Sequence, residues 1–141
     1  MLILGFFGVG KTTLARQNEK VADLTDLGSP SLSLLQDTVA KYDIVLADPT
    51  WEQVFLESGE DFIVVVPSLD RKEEFLTNFK ERNGKGLGGG NDGFRELIGK
   101  HWEWWINHLL SIPSQGQIVL ERGEFLSHLL LRSIFAGIRG I

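Results

Sequence analysis

The chain contains no cysteine, which excludes disulfides, thiolate metal sites and cysteine nucleophiles. Basic residues are few as well, and 14 Lys and Arg against 19 Asp and Glu give a formal net charge of −5. This charge opposes the broad electrostatic contact with phosphate backbone that nucleic-acid binding needs. No apolar run approaches the roughly 18 residues of a membrane span. These absences favour a small substrate over a polymer or a membrane, and they suit a cytoplasmic protein.

The length of the chain, 141 residues, is enough for one domain with a buried core and short for two. Its 43% hydrophobic and 23% charged residues are ordinary for a globular protein and argue against disorder. The apolar amino terminus lacks the basic start of a secretory signal, so it is interpreted as a core strand. The prediction is a single domain over residues 1–141.

A specific motif lies near the amino terminus, where residues 5–13 read GFFGVGKTT and match G-x-x-x-x-G-K-[ST]. Glycines in this pattern let the backbone curl with its N–H groups pointing inward, and the following helix adds its positive end. The lysine reaches the outer phosphates of a nucleotide, and the hydroxyl after it binds Mg²⁺. The candidate nucleotide-binding residues are Gly8, Val9, Gly10, Lys11, Thr12 and Thr13.

Short apolar runs alternate with helical patterns along the chain. Strands are predicted over 1–4, 21–24, 43–49, 62–67 and 117–121. Helices are predicted from residue 13 and over 31–41, 51–57, 70–82, 94–110 and 124–135, with Ser29 or Ser31 and Thr50 as caps. Continuous apolar strands separated by helices are typical of a parallel sheet covered on both faces, in which ligands bind beyond the carboxyl ends of the strands.

Acidic residues follow two of these strands. Asp48 has the position of a carboxylate that orients Mg²⁺ in phosphate-loop proteins; alternatively, it caps the turn before Pro49. Asp23 and Asp26 end the second strand, where a kinase needs a carboxylate for the attacking hydroxyl. Asp26 is preferred because it is expected at the tip of the turn. The alternative for both is a local role, as a strand-end residue and an Asx turn.

A glycine-rich segment at about 83–93 is expected to be a mobile, lid-like loop. Lys80, Arg82 and Lys85 lie where a helix enters it, and Arg82 or Lys85 can bring positive charge to a phosphoryl group in transfer. The alternative for Lys80 and Arg82 is ion pairing with glutamates of their own exposed helix face.

Aromatic residues crowd the helix before the fifth strand. Trp102, Trp105 and Leu109 have core spacing, whereas Trp104 lies off that face and is a candidate for stacking on a base. The histidines have neither metal-ligand spacing nor a nearby acidic partner, so they are interpreted as ordinary residues.

The sequence resembles the small phage and prophage phosphate-loop proteins described as nucleotide or nucleoside kinases, which are similar in core to adenylate kinase. The resemblance rests on GFFGVGKTTLA (5–15), DLTDLGS (23–29), YDIVLAD (42–48), VVVPSLDRKEEFLTNFKERN (64–83), KHWEWWINHL (100–109) and IVLERGEFL (118–126). It implies a three-layer α/β P-loop NTPase fold with a five-stranded parallel sheet in the order 2-3-1-4-5. It also implies ATP with Mg²⁺, a nucleoside or nucleotide substrate and the cytoplasm of a bacterial host. By analogy with that fold, Arg122 borders the adenine.

The resulting hypothesis is ATP- and Mg²⁺-dependent phosphoryl transfer to a nucleoside, a (deoxy)nucleoside monophosphate or the hydroxyl of a modified base. Lys11, Asp26 and Arg82 are the candidate catalytic residues, and Thr12 and Asp48 are the candidate metal ligands. One alternative is a nucleotide-binding regulatory module or weak NTPase. Another is a kinase of hydroxymethylated bases in DNA, which the net charge disfavours.

Overall fold

The computed structural model describes residues 1–82 and 92–126. The strands are β1 Leu2–Gly5, β2 Val21–Asp23, β3 Ile44–Ala47, β4 Phe62–Pro67 and β5 Gly116–Leu120. The helices in these ranges are α1 Lys11–Gln17, α2 Leu24–Leu27, α3 Leu32–Val39, α4 Glu52–Ser58, α5 Lys72–Arg82, α6 Asp92–Lys100 and α7 Trp102–Ser111. Turns of 3₁₀-helix at Pro49–Trp51 and Leu69–Arg71 precede α4 and α5. The predicted loop at 83–93 and the predicted helix at 124–135 lie almost entirely outside the described residues.

The five strands form one sheet in the order β2-β3-β1-β4-β5, and every pair of neighbours is parallel. In the register, Leu4 lies opposite Ala47 on one side and Val64 on the other. The predicted α/β class and strand order are confirmed.

The central strands are buried along their whole length, as their continuous apolar sequences predict. The edge strand β5 alternates between more and less exposed residues, and Val119 is exposed. The core therefore lies around β1, β3 and β4, which hold the loop that follows β1.

The chain changes direction across the sheet at β1. The connection from β1 passes over β3 to β2, whereas the connection from β3 passes over β1 to β4 in the opposite direction. Because such crossovers are right-handed, α1 lies on one face of the sheet and α4 on the other. A crevice therefore opens beyond the carboxyl ends of β1 and β3, where ligands bind in sheets of this kind.

Three helix predictions needed correction. The helix predicted over 94–110 is two helices, α6 and α7, with a break at His101. The break lets Gly99 face Leu76 of α5 while the Trp102 ring packs on Phe6 in the core. The turn after β2 holds the short helix α2, and α4 begins at Glu52 after a 3₁₀ turn that Asp48, not Thr50, caps. Ser31 caps α3, as predicted.

None of the helices within residues 1–82 and 92–126 has the length and apolar character that crossing a membrane requires.

Candidate functional site

The glycine loop between β1 and α1 has the backbone shape that its motif predicts. Gly8 and Gly10 have φ angles of +82° and +100°, in the left-handed region that side-chain-bearing residues rarely adopt. Gly10 is the residue that precedes α1, so the helix begins directly from the loop. The two glycines curl the chain at the positive end of α1, which is an arrangement that attracts anions.

The Lys11 side chain folds back over this loop. Its ammonium donates to the carbonyl oxygens of Phe6 at 2.7 Å and Gly5 at 3.2 Å, and the residue is only 8% exposed. A buried ammonium needs such partners, because transferring its charge out of water without hydrogen bonds costs free energy. A positive charge is therefore held at the loop, close to the position where the motif predicts phosphate.

The hydroxyl of Thr12 contacts a carboxylate that follows β2. Its Oγ1 donates to Oδ2 of Asp23 at 3.2 Å, and Oδ1 of Asp23 accepts from the Thr25 backbone N–H at 3.1 Å. Burial raises the pKa of Asp23, while Lys11 and these two hydrogen bonds act in the opposite direction. A buried carboxylate with a raised pKa beside the loop is a candidate functional group.

The other predicted carboxylates lie nearby in different settings. Asp26 is exposed on α2, and its charge contributes to the raised pKa of Asp23. Asp48 accepts hydrogen bonds from both the N–H and the hydroxyl of Thr50, so it has the capping role that was one of its two interpretations. Because β3 lies between β2 and β1 and all three strands are parallel, the segments after their carboxyl ends, which carry these residues, border the same crevice.

Two rings of α5 pack against the first left-handed glycine. A Cβ atom placed on Gly8 would lie 2.8 Å from Cε1 of Phe79 and 3.2 Å from Cδ2 of Phe75, and both rings are buried. These distances are shorter than ordinary packing allows, so Gly8 is required here for space as well as for its φ angle.

The turn after β5 packs against the second left-handed glycine. A Cβ atom on Gly10 would lie 3.6 Å from Cβ of Phe125, and the Leu126 N–H donates to the Val9 carbonyl at 3.0 Å. Val9 is fully buried. The glycine loop is thus supported by segments that lie about 70 and 115 residues further along the chain.

Arg71 is a residue that the sequence reasoning missed. It is 1% exposed, and its guanidinium donates to both carboxylate oxygens of Glu74, at 2.9 and 2.6 Å. The arginine lowers the pKa of Glu74, chiefly through these hydrogen bonds. One local signal could have found the pair: Arg71 and Glu74 are three residues apart, a spacing that brings side chains together on a helix.

Two predicted arginines remain to be placed. Arg82 ends α5, and its side chain lies outside the described part of the chain, as do those of Lys80 and Lys85. Arg122, in the turn after β5, is largely exposed, and its Nε lies 3.6 Å from Oδ2 of Asp70. Ser68 and Arg122 both contribute to a lowered pKa of Asp70, with Ser68 the larger cause.

The side chains of α7 are buried or exposed as their spacing predicts. Trp102 and Leu109 are buried, Trp105 is half-buried against Phe7 of the glycine loop, and Trp104 is 58% exposed.

The prediction for His108 was wrong, because it has an acidic partner: its Nε2 lies 2.7 Å from Oε1 of Glu52. Its ring also stacks on Trp104, at a centroid distance of 4.9 Å. Glu52 precedes His108 by 56 residues, so no local pattern could show the pair.

No group of three or more His, Asp or Glu side chains forms a metal site within residues 1–82 and 92–126. Mg²⁺ bound with a nucleotide does not need such a group, since it keeps several waters and takes phosphate oxygens with one or two protein ligands. The Thr12 hydroxyl, as one protein ligand at the start of α1, fits that smaller requirement.

Comparison of the sequence with protein-family models and with curated proteins gives no match, and comparison of the fold with solved structures gives none. The resemblance to phage nucleotide kinases therefore stays a prediction.

Proposed function

We propose that this chain is an ATP- and Mg²⁺-dependent phosphotransferase that acts on a nucleoside, a (deoxy)nucleoside monophosphate or the hydroxyl of a modified base. The observation that carries the proposal is the glycine loop at the carboxyl end of β1, with left-handed Gly8 and Gly10 and with the buried Lys11 ammonium folded over it. Such a loop is suited to the phosphates of a nucleotide.

Different residues around the loop would bind the phosphates, the metal and the adenine. Lys11 and the backbone N–H groups of residues 8–12 would hold the β- and γ-phosphates, and Thr12 would bind the metal with Asp48 as the predicted second ligand. ATP supplies the phosphoryl group when bound, and Mg²⁺ neutralises charge on its phosphates. Arg122 is the predicted neighbour of the adenine.

For the acceptor base we prefer Asp23 to Asp26. Thr12 contacts Asp23 directly, and burial raises the Asp23 pKa, which brings this base closer to the pH at which it would work. Asp23 would take the proton of the acceptor hydroxyl while that oxygen bonds to the γ-phosphorus and the bond to ADP breaks. Arg82 is the predicted source of positive charge for the group in transfer.

A transfer assay tests the proposal. Labelled γ-phosphate from ATP with Mg²⁺ is offered to nucleosides, deoxynucleoside monophosphates and hydroxymethylated bases, both free and in DNA. We expect a labelled small-molecule product with the wild-type chain and with Lys41→Ala, an exposed lysine outside the site, and none with Lys11→Ala. Undiminished transfer by Lys11→Ala would refute the phosphate site.

The other products of the same assay identify the alternatives. Labelled free phosphate alone indicates a weak NTPase, and ATP binding without any product indicates a regulatory module. Labelled DNA indicates a kinase of modified bases in DNA. Asp23→Asn and Asp26→Asn then separate the two carboxylates: loss of the acceptor base lowers turnover by about 100-fold or more, and loss of a bystander does not.

A further inference from the structure

Arg71 joins two segments that are distant in the sequence. Besides its two hydrogen bonds to Glu74, its NH1 group donates to the carbonyl oxygens of Leu120 at 3.2 Å and Glu124 at 2.9 Å. The first pair of bonds holds the start of α5, and the second holds both ends of the turn after β5. One buried guanidinium therefore fixes α5 relative to that turn.

The same guanidinium contacts the rings that support the glycine loop. Its central carbon lies 5.0 Å from the centroids of both Phe75 and Phe125, whose planes are 16° apart. Phe75 packs on Gly8, and Phe125 packs on Gly10. Arg71 is thus one ring away from each left-handed glycine of the loop.

Joining two segments through a buried arginine costs the free energy of removing the guanidinium from water. An apolar side chain of similar size can join them without taking a charge out of water. The guanidinium adds direction, because its planar fork must meet a carboxylate on one side and two carbonyl groups on another. Such a contact sets both the distance and the angle between α5 and the turn after β5, and hence the positions of the two rings.

We propose that Arg71 is a positioning residue for the phosphate loop, which acts through Phe75 and Phe125 to hold Gly8 and Gly10 in their left-handed conformations. The inference rests on the proposed function only in that it takes this loop to be the part that binds phosphate.

Amide hydrogen exchange measured by NMR tests the positioning directly, because it reports local opening of the backbone. Arg71→Lys keeps the charge but lacks the planar fork. Its control is Phe55→Leu, which loses ring packing against Phe62 at the amino end of β4, the end of the strand away from the glycine loop. We expect the amides whose hydrogen bonds end on the loop, those of Leu14 to the Gly10 carbonyl and Leu126 to the Val9 carbonyl, to exchange at least ten times faster in Arg71→Lys than in Phe55→Leu, while β1 amides change equally in both. Equal exchange of these two amides in the two variants would overturn the proposal.

A second variant keeps the test decisive if Arg71→Lys does not fold. Phe125→Leu removes only the half-buried ring between the guanidinium and Gly10. In this variant exchange should rise more at the amides of Leu14 and Leu126 than at that of Phe6, which donates to Val65 of β4. A uniform rise across the whole chain, or no rise at Leu14 and Leu126, counts against positioning by Arg71.

Calorimetric titration with ATP and Mg²⁺ connects the loop to binding. We expect Arg71→Lys to bind about tenfold more weakly than the wild type and Phe55→Leu to bind within twofold of it. ATP affinity as high in Arg71→Lys as in Phe55→Leu would contradict the proposal. If the wild type binds no ATP, the proposed function fails, and the exchange experiment decides the role of Arg71 by itself.

Discussion

The two sides of the candidate site are built in different ways. On the aromatic side, side chains and backbone pack against the glycine loop and a buried cation lies behind two of the rings; its residues are Arg71, Phe75, Phe79, Phe125 and Leu126. The acidic side, formed by Asp23, Asp26 and Asp48, has carboxylates at the ends of β2 and β3, each in or beside a short local turn.

The aromatic side supports the glycine loop, whereas the acidic side carries the groups proposed for the reaction. Close-packed rings tolerate little change in shape, so the aromatic side holds the backbone of the loop in place. On the acidic side Asp26 is exposed, whereas Asp23 is buried. Burial disfavours the ionised form of Asp23 and raises its pKa. We therefore expect substitutions on the aromatic side to lower stability first. Asp→Asn substitutions at Asp23 and Asp48 keep the capping oxygen, and we expect them to lower activity without a loss of stability.

The largest effect on stability is expected from Gly8→Ala. The new methyl group meets Phe79 at 2.8 Å, and the left-handed φ of +82° is unfavourable for alanine. Together these terms should cost about 2–4 kcal/mol in the free energy of unfolding. Urea denaturation measures the change.

Gly59→Ala is the matched control. Gly59 also has a left-handed φ, of +73°, but nothing lies within 4 Å of the position of its added Cβ. Gly59→Ala should lower the free energy of unfolding only through its left-handed backbone, by about 1 kcal/mol. Equal losses in the two variants would show that the rings of α5 do not constrain the loop.

A smaller, pH-dependent effect is expected from Glu74→Gln. Because Arg71 lowers the pKa of Glu74, the folded state favours the ionised carboxylate. This stabilisation is present above the ordinary value of 4.5 and is lost as the pH falls through the lowered value. The carboxylate is more than a third exposed, so its loss at pH 7 should cost only about 1 kcal/mol.

Denaturation from pH 7 to pH 3 measures this difference. The gap between wild type and Glu74→Gln should close as the solution becomes more acidic. Glu73→Gln, a change at an exposed glutamate of the same helix, serves as the control. A gap that is constant with pH would indicate a change in packing rather than in charge.

The smallest effect on stability, and one of opposite sign, is expected from Asp23→Asn on the acidic side. Since burial raises the pKa of Asp23, its contribution to stability is favourable at low pH and is lost as the pH rises through the raised value. Asparagine removes the buried charge, so the melting temperature at pH 7 without ligand should stay the same or rise. A clear drop at pH 7 would mean that the ionised Asp23 stabilises the fold. The gain should disappear near the ordinary aspartate value of 3.8.

Much of this arrangement was predictable because its signals are local. Continuous apolar runs placed β4 at its observed bounds and β3 to within two residues at each end, and the glycine motif located the turn at Gly8 and Gly10. Helix boundaries were harder to predict, since the break at His101 depends on how α6 meets α5 and how Trp102 meets the core. Spacing along one helix cannot show that contact.

By itself, the sequence determined the alternation of strands and helices, the curled loop after β1 and the group of acidic residues at the strand ends. Only the tertiary structure decided that Asp23 is the carboxylate beside Thr12, that Arg71 is buried, and that Glu52 meets His108. The physical reason is the separation along the chain over which each kind of interaction acts. Propensity and periodicity act over a few neighbouring residues, whereas burial and ion pairing depend on segments that meet only when the sheet has assembled.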